Sequence, residues 1–160
     1  ELFEKYKVLS REEMVSRYHI WVEMYCKLIE IEVHTLSELV NSSIVPPAIE
    51  YEKLLADTLV QLAALKKQAK VTFDARALTD QKEHVSEVAA KIYYVRHNTA
   101  EMLEIVEKAE KLVPEKKAET FFAKVKPCME HIRRHADELE RVVSDEQWVL
   151  PKYREMLFIK

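Results

Sequence analysis

REEMVSRYHIWVEMYCKLIEIEVHTLSELV, residues 11–40, places apolar side chains at helical spacing without a break. Met14, Tyr18, Trp21, Val22, Tyr25, Leu28, Ile29, Val33, Leu36, Leu39 and Val40 fall within an arc of about 160° when wound at ~100° per residue, a broad core-facing stripe. The stretch just before it, Ser10-Arg11-Glu12-Glu13, has the form of a capping box, with Ser10 as N-cap and Glu13 at N3. A helix of about 30 residues spans ~45 Å at a rise of ~1.5 Å per residue, which is unusually long. Ile20, Met24 and Ile31 form a second, narrower apolar line on the opposite side of the same helix. A monomeric bundle has no use for that line; a domain docked to a larger body does.

Reading outward, residues 1–9 contain Leu2, Phe3, Tyr6, Val8 and Leu9, apolar enough to dock on a body. Downstream, Pro46 and Pro47 interrupt the pattern, because proline lacks an N–H and disfavours helix at the residue before it. Periodicity resumes at once through Ala48, Tyr51, Leu55, Leu59 and Leu62, so the choice lies between a kinked continuation, which the spacing favours, and a turn in which proline opens a second helix. Residues 71–78 break the spacing and predict the first reversal, with Thr79 or Asp80 capping a third helix striped by Val88, Ile92, Val95, Thr99, Met102 and Val106. Pro114 with Glu115-Lys116-Lys117 predicts the next turn. A further helix runs through Phe121, Val125, Ile132 and Leu139, with a local kink expected at Pro127. From Asp145 the tail holds Trp148, Pro151, Tyr153, Met156, Leu157 and Phe158, an apolar cluster that predicts a short docked end. No stretch alternates with a period of two. The expected fold is all-α: an antiparallel bundle of three to four long helices in a single domain over residues 1–160, its first helix kinked or broken at Pro46-Pro47.

Composition narrows the function. The 160 residues contain no glycine, where ordinary usage of ~7% would supply about eleven. Phosphate-binding loops, dinucleotide fingerprints and nucleophile elbows depend on glycine for φ > 0 turns and close backbone approach, so none can be built here in its usual form. Apolar content of 48% and charged content of 33% fit a folded helical protein. A net charge of −3 gives no broad attraction to nucleic acid or anionic membrane. No apolar run approaches the ~18 residues of a transmembrane helix. Cys26 and Cys128 lie within helical patterns and read as free thiols in a reducing compartment, which makes cytoplasm the expected location. The chain opens at Glu1 and its first methionine is Met14, which suggests a piece of a longer polypeptide.

Few residues suggest chemistry. Cys128, His131 and His135 are spaced along one helix so that they could ligate a metal, with Glu138 one turn further on. The apolar stripe centres near Ile132 and Leu139, however, so a buried cysteine and two border histidines explain the same letters. Glu32 and Arg96 map within about 40° of their stripe centres, where an unpaired charge is costly. They are expected either to pair across the bundle or to snorkel to its edge. Tyr93-Tyr94, Trp21 and Tyr25 lack a surrounding basic patch and read as core or interface packing rather than a base-stacking platform. Lys126, Arg133 and Arg134 read as a solvated face. No residue reads as catalytic or cofactor-binding.

The tail is more specific. The run DEQWVLPKYREMLF, residues 145–158, resembles the C-terminal signature of type III glutamine synthetases, although Val149 stands where that family often carries a second proline. LFEKYKVLS (residues 2–10) followed by Arg11-Glu12-Glu13, and Val45-Pro46-Pro47-Ala48 with Tyr51, are similar to the same family in the same order. The resemblance spans nearly the whole chain. It implies an ATP- and Mg²⁺- or Mn²⁺-dependent ligase that joins ammonia to glutamate in a large homo-oligomer, with its catalytic domain upstream. None of that family's catalytic residues maps onto this sequence. The expectation is therefore a non-catalytic C-terminal domain with a structural, assembly or regulatory role, whose partners are the catalytic domain and neighbouring subunits. The alternatives are an independent helical-bundle interaction module and a small metalloprotein built on Cys128, His131 and His135. Stoichiometric zinc, iron or copper in the purified chain would select the last of these.

Overall fold

The computed structural model describes residues 2–68 and 72–157. Every regular element among them is helical: α1 (Leu2–Lys5), α2 (Arg11–Leu39), α3 (Val45–Gln68), α4 (Ala75–Ala109), α5 (Pro114–Thr120), α6 (Lys126–Val142) and α7 (Tyr153–Leu157). Two five-residue π-turns, Val40–Ile44 and Phe121–Val125, join α2 to α3 and α5 to α6 without a break. The result is three long rods, residues 11–68, 75–109 and 114–142, and α4 is the middle one. α3 and α6 both pack on α4, while α5 packs on α2.

The π-turns show how prolines are carried inside helices. In the first, the N–H of Val45 donates to the carbonyl of Val40, five residues back, and Pro46 follows directly. In the second, the N–H of Lys126 donates to the carbonyl of Phe121, and Pro127 follows directly. A wider i→i−5 turn relieves the clash between a proline ring and the preceding turn, and it uses the last donor before the ladder loses one. The long first helix therefore continues through Pro46-Pro47. Each π-turn also drives two side chains into the core at i and i+4: Val40 with Ile44, and Phe121 with Val125.

The start of α4 differs from expectation. Asp74, not Thr79 or Asp80, is the N-cap; its Oδ1 accepts from the Arg76 N–H at 2.8 Å. Residues 75–78 are already helical because Asp74 is followed by the strong formers Ala-Arg-Ala-Leu. Val71 lies outside the described residues. Pro114 likewise sits in the first turn of α5 rather than in a turn of its own, so Glu115-Lys116-Lys117 are helical and the reversal falls at residues 110–113. Proline is tolerated there because the first helical N–H groups have no intrahelical partner.

Valine dominates the core: Val33, Val40, Val88, Val95, Val125 and Val143 are fully buried beside Met102, Phe121, Ile132 and Leu139. Branching at Cβ leaves these side chains almost one rotamer each in a helix, so the core is stiff despite valine's modest helix propensity. Thr99 is the single buried polar residue of the described set, and its hydroxyl is satisfied by the Val95 carbonyl at 2.7 Å.

At the N-terminus the expected capping box forms: Ser10 N–H to Glu13 Oε2 at 2.8 Å, and Glu13 N–H to Ser10 Oγ at 3.2 Å. α1 ends in a Schellman motif, with Val8 N–H to the Phe3 carbonyl at 2.9 Å and Lys7 N–H to the Glu4 carbonyl at 3.1 Å. That motif needs a left-handed residue, and in a chain without glycine Lys7 takes it at φ 53°. Lys7→Gly is accordingly expected to stabilise the N-terminal segment by up to about 1 kcal/mol, read as a higher denaturation midpoint. Phe121→Ala, in the second π-turn, is expected to cost about 3–5 kcal/mol in the same measurement.

Candidate protein-interaction surfaces

The first half of α2 overhangs the bundle. From Arg11 to Met24 every residue is exposed except Val22, which is half-buried. Met14, Tyr18 and Trp21 line one side of this overhang, and Trp21 is 63% exposed. Ile20 and Met24 form a second exposed line beside it, which Ile31 continues beyond the overhang. Leu2, Phe3, Tyr6 and Val8 add exposed apolar surface at the same end. These exposed apolar residues make the overhang a candidate interaction surface.

Where α2 enters the bundle, Cys26, Ile29 and Val33 are buried and an ionic anchor adds to them. Glu30 pairs with Lys117 of α5, both largely buried, and with Lys27 on its own helix at 2.8 Å. The Lys117 ammonium lies 5.6 Å from the centroid of Phe121, and the thiol of buried Cys26 sits 3.8 Å from the Pro114 carbonyl. Lys117, then Lys27, hold the Glu30 carboxyl below its ordinary value, while burial pushes the Cys26 thiol up. Sequence reading singled out Glu32 instead. Glu32 and Arg96 are both exposed, and no ion pair joins them among the described residues. Two residues, about half a helical turn, decide this, because α5 approaches the face that carries Cys26 and Glu30, leaving Glu32 at the edge.

A groove of about 500 Å³ runs between α2, α6 and the C-terminal tail. Leu36, Ile44, Met129, Ala136 and Leu150 supply its apolar floor, together with Trp148. Trp148 is 8% exposed and docked, but Met156 and Leu157 are exposed, so the tail's apolar cluster is split rather than wholly packed. Pro151 is exposed at the groove's edge. Phe158 and the side chain of Tyr153 lie outside the described residues. The tail's tether was not anticipated. Lys152 Nζ donates to the Val143 carbonyl at 2.9 Å and pairs with Asp145 at 2.8 Å, closing the end of α6. A lysine ten residues beyond the end of α6 carries no local signature of such a role. The indole N–H of Trp148 and the hydroxyl of Tyr25 are buried without a hydrogen-bond partner among the described residues.

The metal candidates do not converge. Cys128 is half-buried, His131 is exposed, and His135 stacks on Tyr94 with ring centroids 5.0 Å apart. No group of three or more His, Cys, Asp or Glu residues among the described ones is placed to hold a metal ion. Tyr93 and Tyr94 are exposed rather than core. Tyr93 stacks on His97 at 5.5 Å, which continues a row of four rings from α4 onto α6. No described helix is long and apolar enough to cross a membrane.

Fold and surfaces together define a helical bundle domain with uncovered apolar helix faces. Residues 1–63 match the family model of the glutamine synthetase C-terminal domain. Along its whole length the chain is 29% identical, over 161 residues, to the type-3 glutamine synthetase of Dictyostelium discoideum. It is 30% identical over 159 residues to the glutamine synthetase of Bacteroides fragilis, with 96% of the chain covered, and 26% identical over 159 residues to that of Butyrivibrio fibrisolvens, with 99% covered. The chain belongs to the C-terminal domain family of the type III glutamine synthetases. It spans about a fifth of the length of these curated relatives, 21–22% in each case.

Two outcomes follow from the ionic anchor and the tail tether. Because the carboxyl of Glu30 is depressed in the folded state, its stabilising contribution is complete above the ordinary value near 4.5 and is lost as pH falls through the lower folded value. Glu30→Gln should therefore flatten the acid limb of the stability–pH curve, measured by urea midpoints. Lys152→Met should cost about 1–3 kcal/mol and shift Trp148 emission to the red in a Trp21→Phe background.

Proposed function

We propose that this domain is a non-catalytic assembly element of its glutamine synthetase, and that the overhanging half of α2 with the α1 segment packs against the catalytic portion and a neighbouring subunit. The observation that supports this most directly is the broad apolar surface exposed along the overhanging half of α2. Met14, Tyr18 and Trp21 form one exposed line and Ile20 and Met24 a second beside it, together a broad apolar surface for a docked body to cover. The position of that surface is in keeping, since the proposed catalytic portion would precede this domain. ATP and divalent cation are assigned to the remainder of the enzyme, in keeping with a sequence that has no glycine for phosphate loops. The reading places the whole protein in the cytoplasm as a large homo-oligomer.

The 160-residue chain by itself is expected to form no γ-glutamyl product from glutamate, ATP and ammonia; synthetase activity from it would overturn the proposal. In the full-length enzyme, Trp21→Ser with Met24→Ser should shift sedimentation toward smaller species while leaving helicity unchanged. An oligomer unaffected by that pair would remove α2 from the interface.

A further inference from the structure

We propose that the groove between α2, α6 and the tail is a docking site for a basic amphipathic helix contributed by a partner protein, separate from the α2 overhang and independent of the assembly reading above. Its shape is the first argument. The α6 residues that line it run from Lys126 to Glu140, about 21 Å of helix. They recur at Met129, Glu130, Arg133, Ala136 and Asp137, the i, i+3, i+4 spacing with which one helix presents itself to another. A long open trough suits a helix of three to four turns better than a compact metabolite, which is normally enclosed on most of its surface. The small side chain of Ala136 sits midway along the trough and leaves room for a large apolar side chain from the partner.

Charge gives the partner's chemistry. Among the described residues the groove is lined by four carboxylates, Glu32, Glu130, Asp137 and Glu140, against two cations, Lys126 and Arg133, and Glu140 has a partner of its own. Arg133 is engaged by Asp137 on its own helix at 3.8 Å. Glu32 and Glu130, one on each wall, have no ion-pair partner among the described residues. Apolar floor between acidic walls complements a helix with leucine-like residues on one face and lysine or arginine flanking it. The same charges disfavour nucleic acid and anionic lipid.

The test uses the full-length protein and a fluorescein-labelled helical peptide of about 14 residues, with leucines at i, i+3, i+4 and i+7 and lysines elsewhere. A counterpart in which glutamates replace the lysines is the control. Fluorescence anisotropy should show saturable binding of the basic peptide alone, weakened about tenfold by Glu32→Lys with Glu130→Lys and abolished by Ala136→Trp. Both charge sites are exposed, and circular dichroism with a thermal scan verifies that the variants remain folded. Equal binding of the two peptides, binding indifferent to these substitutions, or no binding at millimolar peptide overturns the proposal. So does dissociation of the full-length oligomer by the Glu32→Lys, Glu130→Lys pair, since the occupant would then be a second copy.

Discussion

Everything in this bundle depends on carrying a helical hydrogen-bond ladder past prolines in a chain that has no glycine to break and restart it. Both interruptions are met the same way, with a five-residue turn whose final N–H reaches back five residues immediately before the proline. The extra residue rotates the apolar stripe relative to the segment upstream. That rotation lets one rod use its first half against α5 and its second half against α4. Without the two π-turns, α3 and α6 would present other faces to α4, and the valine-rich core could not close.

Rods this long change what the ends must do. Caps at Ser10 and Asp74 each use a side-chain oxygen to satisfy a free N–H, and the end of α6 is closed from beyond by Lys152. Only at Lys7 does the backbone enter the left-handed region among the described residues. The reversal at residues 110–113 is a turn, with Leu112 N–H donating to the Ala109 carbonyl at 3.1 Å, followed by extended Val113, and it uses no left-handed residue. A sequence without glycine is thus consistent with a domain that makes few turns and needs no close backbone approach to a ligand.

Much of this could be read from the sequence because it is local. The stripe of residues 11–40, the capping box and the resumption of periodicity after Pro47 are properties of neighbouring residues. Readings failed where the answer lay in another segment. Asp74 competes with Thr79 and Asp80 on nearly equal local terms, and the β-branched residues before it obscured the start of α4. Glu32 and Glu30 differ by two positions on one helix, and only the approach of α5 decides which is buried. Tyr93 and Tyr94 find histidines rather than core, because their ring partners lie along α4 and on α6. Trp148 docks while Met156 and Leu157 do not, a division set by a lysine tether that no periodicity encodes. The groove is less legible still, since its walls come from three separate stretches of chain.

Mechanically, the overhanging part of α2 is a cantilever. It is clamped at Cys26 and Glu30 by α5, and about 15 residues, or ~22 Å of rod, project beyond the clamp. A tilt of only about 10° at the clamp swings the tip by ~4 Å over that length, which is close to a side chain's reach. The clamp combines the ion pair of Glu30 with Lys117 and the buried side chains of Cys26 and Ile29. A body gripping the tip would thereby gain leverage over α5, and through Phe121 over the centre of the bundle.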